Sequence, residues 1–192
     1  FTKDPGYNKD YVLSVLTPRD WSQAGVSKME TIRRSFADMP QVSSVSLGYE
    51  VPDGNNGGQV VLYRPGADST MAVASQQFTC DEFYRSIFDI PMAAGEFFGK
   101  EGEPADPTKI VINETQAKAL GWANPNDAIG REIVFKGFNG YKAVIAGVVK
   151  DFNVDSFQKA IPPVTFVHVK ASTIYRMFCF KLKPGNMASS IE

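Results

Sequence analysis

An α+β fold of two subdomains is the arrangement this sequence predicts, and three observations carry it. Short runs of alternating or β-rich character recur along the whole chain, only two or three segments have helical spacing, and glycine or proline punctuates nearly every run. The order reads β-α-β-β at the front, β-rich in the middle, and β-β with the start of a helix at the back. We therefore expect residues 1–73 plus 162–192 to form one discontinuous α/β-layer subdomain, with residues 74–161 inserted as a mostly β lobe carrying short helices. Ile161-Pro162-Pro163 suits a boundary, because two prolines resist both helix and central strand.

The elements follow in order. Residues 11–16 (YVLSVL) read as a strand. Over 26–39, Val26, Met29, Ile32 or Arg33, and Phe36 form one apolar stripe, with Lys28, Arg34 and Asp38 off it, so a helix is predicted that Pro40 stops. Residues 42–51 alternate at period two, as a half-buried strand does. The run PDGNNGG at 52–58 is a turn. Two strands follow at 59–64 and 70–79, then a short helix at 81–88 capped near Cys80, and a polar loop at 101–107.

A strand at 109–112 reaches Asn113, an N-cap residue with Gln116 three positions on. The helix 114–120 ends at Gly121, where a residue without Cβ takes the left-handed conformation. Asn124-Pro125 starts a second turn that Gly130 closes. Runs at 132–135 and 142–149 flank G-F-N-G, a hairpin connection. Strands at 164–169 and 175–183 close the fold. Asn186 then caps the first turns of a helix, and residue 1 is Phe, so we expect flanking segments at both ends.

Composition excludes several classes. With 192 residues and a net charge of −1, no basic field favours nucleic acid and no acidic tail solvates the chain. The longest apolar run, 143–149, falls far short of the ~20 residues that span a bilayer.

Candidate chemistry is sparse. His168, the single histidine, sits in the apolar run TFVHV and reads as a structural strand residue. Cys80 and Cys179 lack metal-ligand spacing to it. A bridge between them would add about 4–5 kcal/mol by the chain-entropy estimate, yet Cys179 between Phe178 and Phe180 reads as a packed apolar side chain. Asp81 and Glu82 suit a helix start. Asp151 and Asp155 flank Phe152, with Asp151 capping or turning the chain after the 142–149 strand. Ser14, Ser43, Ser44 and Ser46 lie in strands without a G-x-S-x-G elbow, and no phosphate loop occurs. No catalytic, cofactor or metal residue is therefore expected. Most of the fourteen phenylalanines, such as Phe36, Phe83, Phe88 and Phe178, read as core, with at least one of Phe97-Phe98, beside a polar loop, weighed as an exposed partner contact against core packing, and Trp122 as a core plug.

Three motifs carry a resemblance. N-E-T-Q-A-K-A-L-G at 113–121, the turn ending I-G-R at 129–131, and A-G-V-V-K-D-F at 146–152 closely resemble the extracytoplasmic domain of MacB/FtsX-type ABC-transporter permeases. Residues 78–98 and the opening GYNKDYVLSVL extend the likeness over essentially the whole chain. The resemblance implies a periplasmic domain set between two transmembrane helices of a bacterial inner-membrane protein, with a porter-like subdomain and a protruding β lobe. It implies a second permease copy, a separate ABC ATPase subunit and a periplasmic adaptor as partners, no cofactor, and the coupling of cytoplasmic ATP hydrolysis to periplasmic events such as efflux or lipoprotein transfer. Without a heptad seam, the isolated domain is expected to be a monomer. The competing reading is a stand-alone periplasmic lipid- or peptide-binding module, which predicts a deep apolar pocket; a hydrolase is the third.

Overall fold

The computed structural model describes residues 4–53, 58–99, 103–154 and 160–184. Its strands join into one ten-stranded sheet. At one side lies a three-stranded layer: β1 (Val12–Leu16) pairs antiparallel with β10 (Met177–Leu182), which pairs antiparallel with β2 (Val42–Gly48). The first and last strands are thus neighbours.

Helix α1 (Gln23–Ala37) covers one face of this layer. It starts earlier than the apolar stripe alone predicts, because the Ser22 hydroxyl accepts the Gly25 N–H at 3.0 Å. Val26 and Met29 are buried against Val45, Leu47, Phe178 and Phe180, and Ile32 and Phe36 pack on the same cluster. Ile32, not Arg33, therefore completes the stripe.

The remaining strands close on themselves. β3 (Gln59–Tyr63) pairs with β4 (Val73–Cys80) and with β7 (Glu132–Phe135). β7 pairs with β8 (Lys142–Val149), and β8 runs parallel to β6 (Lys109–Asn113). β6 pairs with β9 (Val164–His168), and β9 returns in parallel to β4. Val60, Leu62, Ile110, Ile112, Ile133 and Phe135 come from several of these strands yet meet in one cluster, so they fill the centre of a six-stranded ring. Ala117 and Leu120, in and just after α3 (Glu114–Ala119), join that core.

A third core fills the space between layer and ring. It holds Met177 and Cys179 from the layer, Phe78 and Phe166 from the ring, and Tyr84 and Ile87 of the one-turn helix α2 (Tyr84–Ile87). The direct strand contact between β2 and β4 is a single pair, Gly48 opposite Cys80.

Several elements depart from expectation for local reasons. The strand expected from residue 70 starts at Val73, because the Asp68 carboxylate accepts the Thr70 N–H at 2.9 Å and holds a 3-10 turn, Ser69–Met71. The helix expected over 81–88 shrinks to α2, because the Asp81 side chain is engaged by β2. Asn124-Pro125 does start a turn, of 3-10 type, over Pro125–Ala128. Two elements lack a sequence signal: β5 (Met92–Gly95), which adds to β8, and α4 (Val169–Ser172), where the Lys170 N–H meets the His168 side chain. The helix expected after Asn186 lies outside the described residues. β3 and β9, assigned by sequence to the front and back of the chain, both hydrogen-bond to strands of 74–161.

Candidate functional site

Five titratable side chains singled out in the sequence, Cys80, Asp81, Glu82, His168 and Cys179, gather at the boundary between layer and ring. Asp81 follows β4 but turns back onto β2: its carboxylate accepts the Ser46 hydroxyl at 2.6 Å, the Leu47 N–H at 2.8 Å and the Phe83 N–H at 3.1 Å. Arg33 of α1 lies 3.7 Å away and stacks on the Phe83 ring. Glu50, just past β2, reaches in the opposite direction and accepts the Thr79 N–H of β4 at 2.8 Å. Both acids are buried, at 3% and 4% exposure. Burial pushes the Asp81 carboxyl up to about 6 against its hydrogen bonds, and pushes Glu50 up to about 7 against the Thr79 N–H and the Arg176 charge. Sequence reasoning missed Glu50 altogether, since an acid closing an alternating strand looks solvated.

His168 ends β9 and is fully buried. Its Nδ1 accepts the Lys170 N–H at 3.2 Å, so the ring proton sits on Nε2, 3.1 Å from Glu82 Oε2. Phe98 meets the imidazole edge-on at 5.0 Å between centroids. Burial raises the Glu82 carboxyl, but the His168 hydrogen bond and charges nearby leave it below its usual value. Nε2 thus ties the end of β9 to the β4–α2 corner through Glu82, while Nδ1 caps the turn of α4 that follows.

The two thiols are free and buried. Burial first, and neighbouring carboxylates next, raise Cys80; burial raises Cys179 to about 11 against a contact with Ser14. Neither forms a thiolate near neutral pH. Asp151 lies elsewhere, where it caps α3: the Thr115 N–H and hydroxyl each donate to it at 2.9 Å. Asp155 lies outside the described residues. Among the described residues, no group of three His, Cys, Asp or Glu side chains stands in an arrangement that holds a metal ion. No helix among them is long and apolar enough to cross a membrane.

Of the two readings weighed for Phe97-Phe98, core packing and partner contact, the structure shows core packing. Phe97 and Phe98 are buried, 8% and 0% exposed, because Phe97 packs on Phe166 and Phe98 on His168. Exposed aromatics sit on the β7–β8 hairpin instead, where Phe138 is 58% and Tyr141 43% exposed. Both ring-pack on Phe135, and with Val60, Val167 and Lys170 they line an open cleft of about 640 Å³ at the mouth of the ring. The hairpin glycines were legible as a turn; that its tip carries an unburied Phe was not. Trp122 is half-buried against the ring core, with the Arg64 guanidinium 5.8 Å over it.

The family model for the MacB-like periplasmic core domain matches residues 6–192. The chain belongs to the MacB-like periplasmic core domain family. Solved structures share its fold, among them the following two. The periplasmic region of MacB from Actinobacillus actinomycetemcomitans superposes with a TM-score of 0.62 at 13% identity, over 97% of this chain and 81% of that one. The extracellular domain of the noncanonic ABC-type transporter YknZ from Gram-positive bacteria superposes with a TM-score of 0.57 at 12% identity, over 92% and 86%. No curated protein matches the chain. As a MacB-like core domain it is a sheet-dominated α/β fold of the periplasmic or extracellular part of an ABC-transporter permease.

Proposed function

We propose that this MacB-like domain transmits conformational change, coupling ATP hydrolysis by a separate cytoplasmic ATPase to an efflux, lipoprotein or cell-envelope event in the periplasm of a bacterial inner-membrane permease. The pairing of β1 with β10 carries the proposal. Motion delivered to the beginning and the end of the described chain enters one hydrogen-bonded layer, which moves as a unit, while the ring stands beyond it. In this reading residues 1–73 with 162–192 form the driven part and 74–161 the displaced lobe, the ring strands β3 and β9 being the seam. The partners are a second permease copy, the ATPase, and a periplasmic adaptor received by the Phe138–Tyr141 hairpin. Alone, the domain is a monomer, because tethering in the membrane makes a weak contact sufficient. It carries no catalysis and needs no cofactor: the carboxylates and imidazole described above are occupied in holding strands together, and the thiols are packed in the core.

Spin labels at Lys28 in α1 and Met71 beside β4, in the intact permease with its ATPase in nanodiscs, test this. The distances between copies are expected to shift when ATP binds, and unchanged distances through the ATPase cycle would sink the proposal. The second reading, a lipid- or peptide-binding module, is favoured by the ring-mouth cleft. Native mass spectrometry of the domain with phospholipid, showing a retained one-to-one complex that Phe138→Ala abolishes, would favour it over transmission.

A further inference from the structure

The boundary between layer and ring combines a minimal strand contact with two reciprocal side-chain clasps. β2 and β4 share only the Gly48–Cys80 pair. Two backbone bonds flank it, Tyr49 N–H to Thr79 O at 2.8 Å and Asp81 N–H to Leu47 O at 3.0 Å. Beside each bond stands one buried acid reaching to the opposite strand, Asp81 closing on Leu47 and Glu50 closing on Thr79. We propose that this junction is a proton-sensitive latch, in which Glu50 and Asp81 clamp the layer to the ring most firmly under mildly acidic conditions and loosen it as the pH rises.

What surrounds each acid decides how it titrates. Glu50 faces the Arg176 charge from the segment before β10, the Cys80 thiol of β4 and the Tyr84 phenol of α2. Arg176 is partly committed elsewhere, with its guanidinium 5.4 Å over the Tyr49 ring. The Thr79 N–H of β4 and the backbone N–H of Glu50 itself support the Glu50 carboxyl, one donor fewer than Asp81 has, and among the described residues the Tyr84 hydroxyl is buried without a partner. Asp81 faces Arg33 of α1, its neighbour Glu82, and the thiols of Cys80 and Cys179. It has three donors and so tolerates charge better. When either acid ionises, a charge held out of water stands beside the one ladder pair, and desolvation is the largest cost on each. Opening the junction lets water reach them, so ionisation favours opening. The raised positions of both carboxyls, about 7 and about 6, place this change within ordinary physiological pH.

Amide hydrogen exchange of the 192-residue chain, followed by NMR at pH 5.5 and pH 8 and normalised to intrinsic exchange rates, tests the latch. The Tyr49, Thr79 and Asp81 amides are expected to be at least tenfold better protected at pH 5.5, while the Ile112 and Val148 amides in the ring hold their protection. Glu50→Gln, which keeps the shape but cannot ionise, is expected to narrow that difference to threefold or less. If the variant does not fold, carbon-13 titration of the Glu50 carboxyl in the unaltered chain serves instead, with the Thr79 amide shift expected to follow the same midpoint above pH 6. Equal junction protection at both pH values, parallel loss of ring protection, an unaltered difference in Glu50→Gln, or a Glu50 midpoint in the ordinary carboxylate range would each overturn it.

Discussion

Asp151, two residues past β8, accepts both the backbone N–H and the hydroxyl of Thr115 in the first turn of α3, each at 2.9 Å. Glu114 answers by accepting the Asp151 N–H at 3.1 Å. The 113–121 and 146–152 motifs are thus locked to each other, and the orphan donors of a short helix are met from outside it. Asp151→Ala is expected to lower stability by about 1–2 kcal/mol, and Thr115→Val by less, since it keeps the N–H donor. Urea denaturation of the two variants checks the order; equal midpoints for Asp151→Ala and the parent would show that the cap does not matter.

Stability should fall as pH rises from the mildly acidic range to neutrality. Glu50 titrates near 7 in the fold against 4.5 for a free side chain, so the folded state binds more protons between those values. Its contribution is complete below pH 4.5 and lost by about pH 7. Asp81 acts in the same sense between 3.8 and about 6. Each tenfold change in proton affinity is worth about 1.4 kcal/mol, so the loss is on the order of 3 kcal/mol for Glu50 alone. Glu82 opposes this only at lower pH, where protonation breaks its bond to His168. Chemical denaturation from pH 5 to 8 checks the sign; a midpoint that rises toward pH 8 would contradict it.

Gly95 carries a tight approach between strands. It has φ +64, and a Cβ there would run into the Ala146 carbonyl oxygen and come within 2.8 Å of Ile129 Cδ1. Gly130 has φ +75 but open space around it. Gly95→Ala is expected to cost upward of about 3 kcal/mol, from strain and overpacking together, and Gly130→Ala about 1 kcal/mol from strain alone. Thermal melts of the pair separate the two contributions.

Two phenylalanines should respond in opposite ways. Phe166 is fully buried among Phe78, Tyr84, Phe97 and Phe152, so Phe166→Ala is expected to cost about 3–5 kcal/mol. Phe138→Ala, at the exposed hairpin tip, is expected to leave stability within about 0.5 kcal/mol of the parent. A large loss at Phe138 would mean that the hairpin aromatics support the ring rather than face a partner.

Local rules made much of the fold legible. Asn113 caps α3 through the Gln116 N–H at 2.9 Å as its spacing predicts, and Gly121 and Gly130 take positive φ where the turns require it. What stayed hidden was set by distant partners. Nothing near Asn113 announces that its side chain also accepts the Val164 N–H at 2.9 Å and donates to the Pro162 carbonyl at 3.0 Å, anchoring β9. β5 is four small or flexible residues whose strand character comes only from lying along β8. Glu50 drew no notice and Asp81 read as an acid at a helix start, because burial and its effect on a carboxyl are tertiary properties. Exposure of Phe97 or Phe98 had to be weighed beside core packing because the polar loop after them is nearer in sequence than Phe166 and His168, which cover them.

The pairing of the first strand with the last also sets the order in which this chain acquires its structure during synthesis. β1 leaves the ribosome well before its partner, the final described strand, so Val12–Leu16 waits for almost the entire chain. Contacts of such long sequence separation form late, after loop-closure entropy has been overcome. Until then the run from Tyr11 to Thr17 is an uncharged, apolar strand with both edges open, which is the profile of an aggregation-prone segment. Even in the finished fold β1 stands at the end of the strand order, with Leu13, Val15 and Leu16 exposed along it. Pulse-labelled hydrogen exchange during refolding should find the β1 amides among the last to be protected, and early protection there would mean that the segment first pairs with something other than β10.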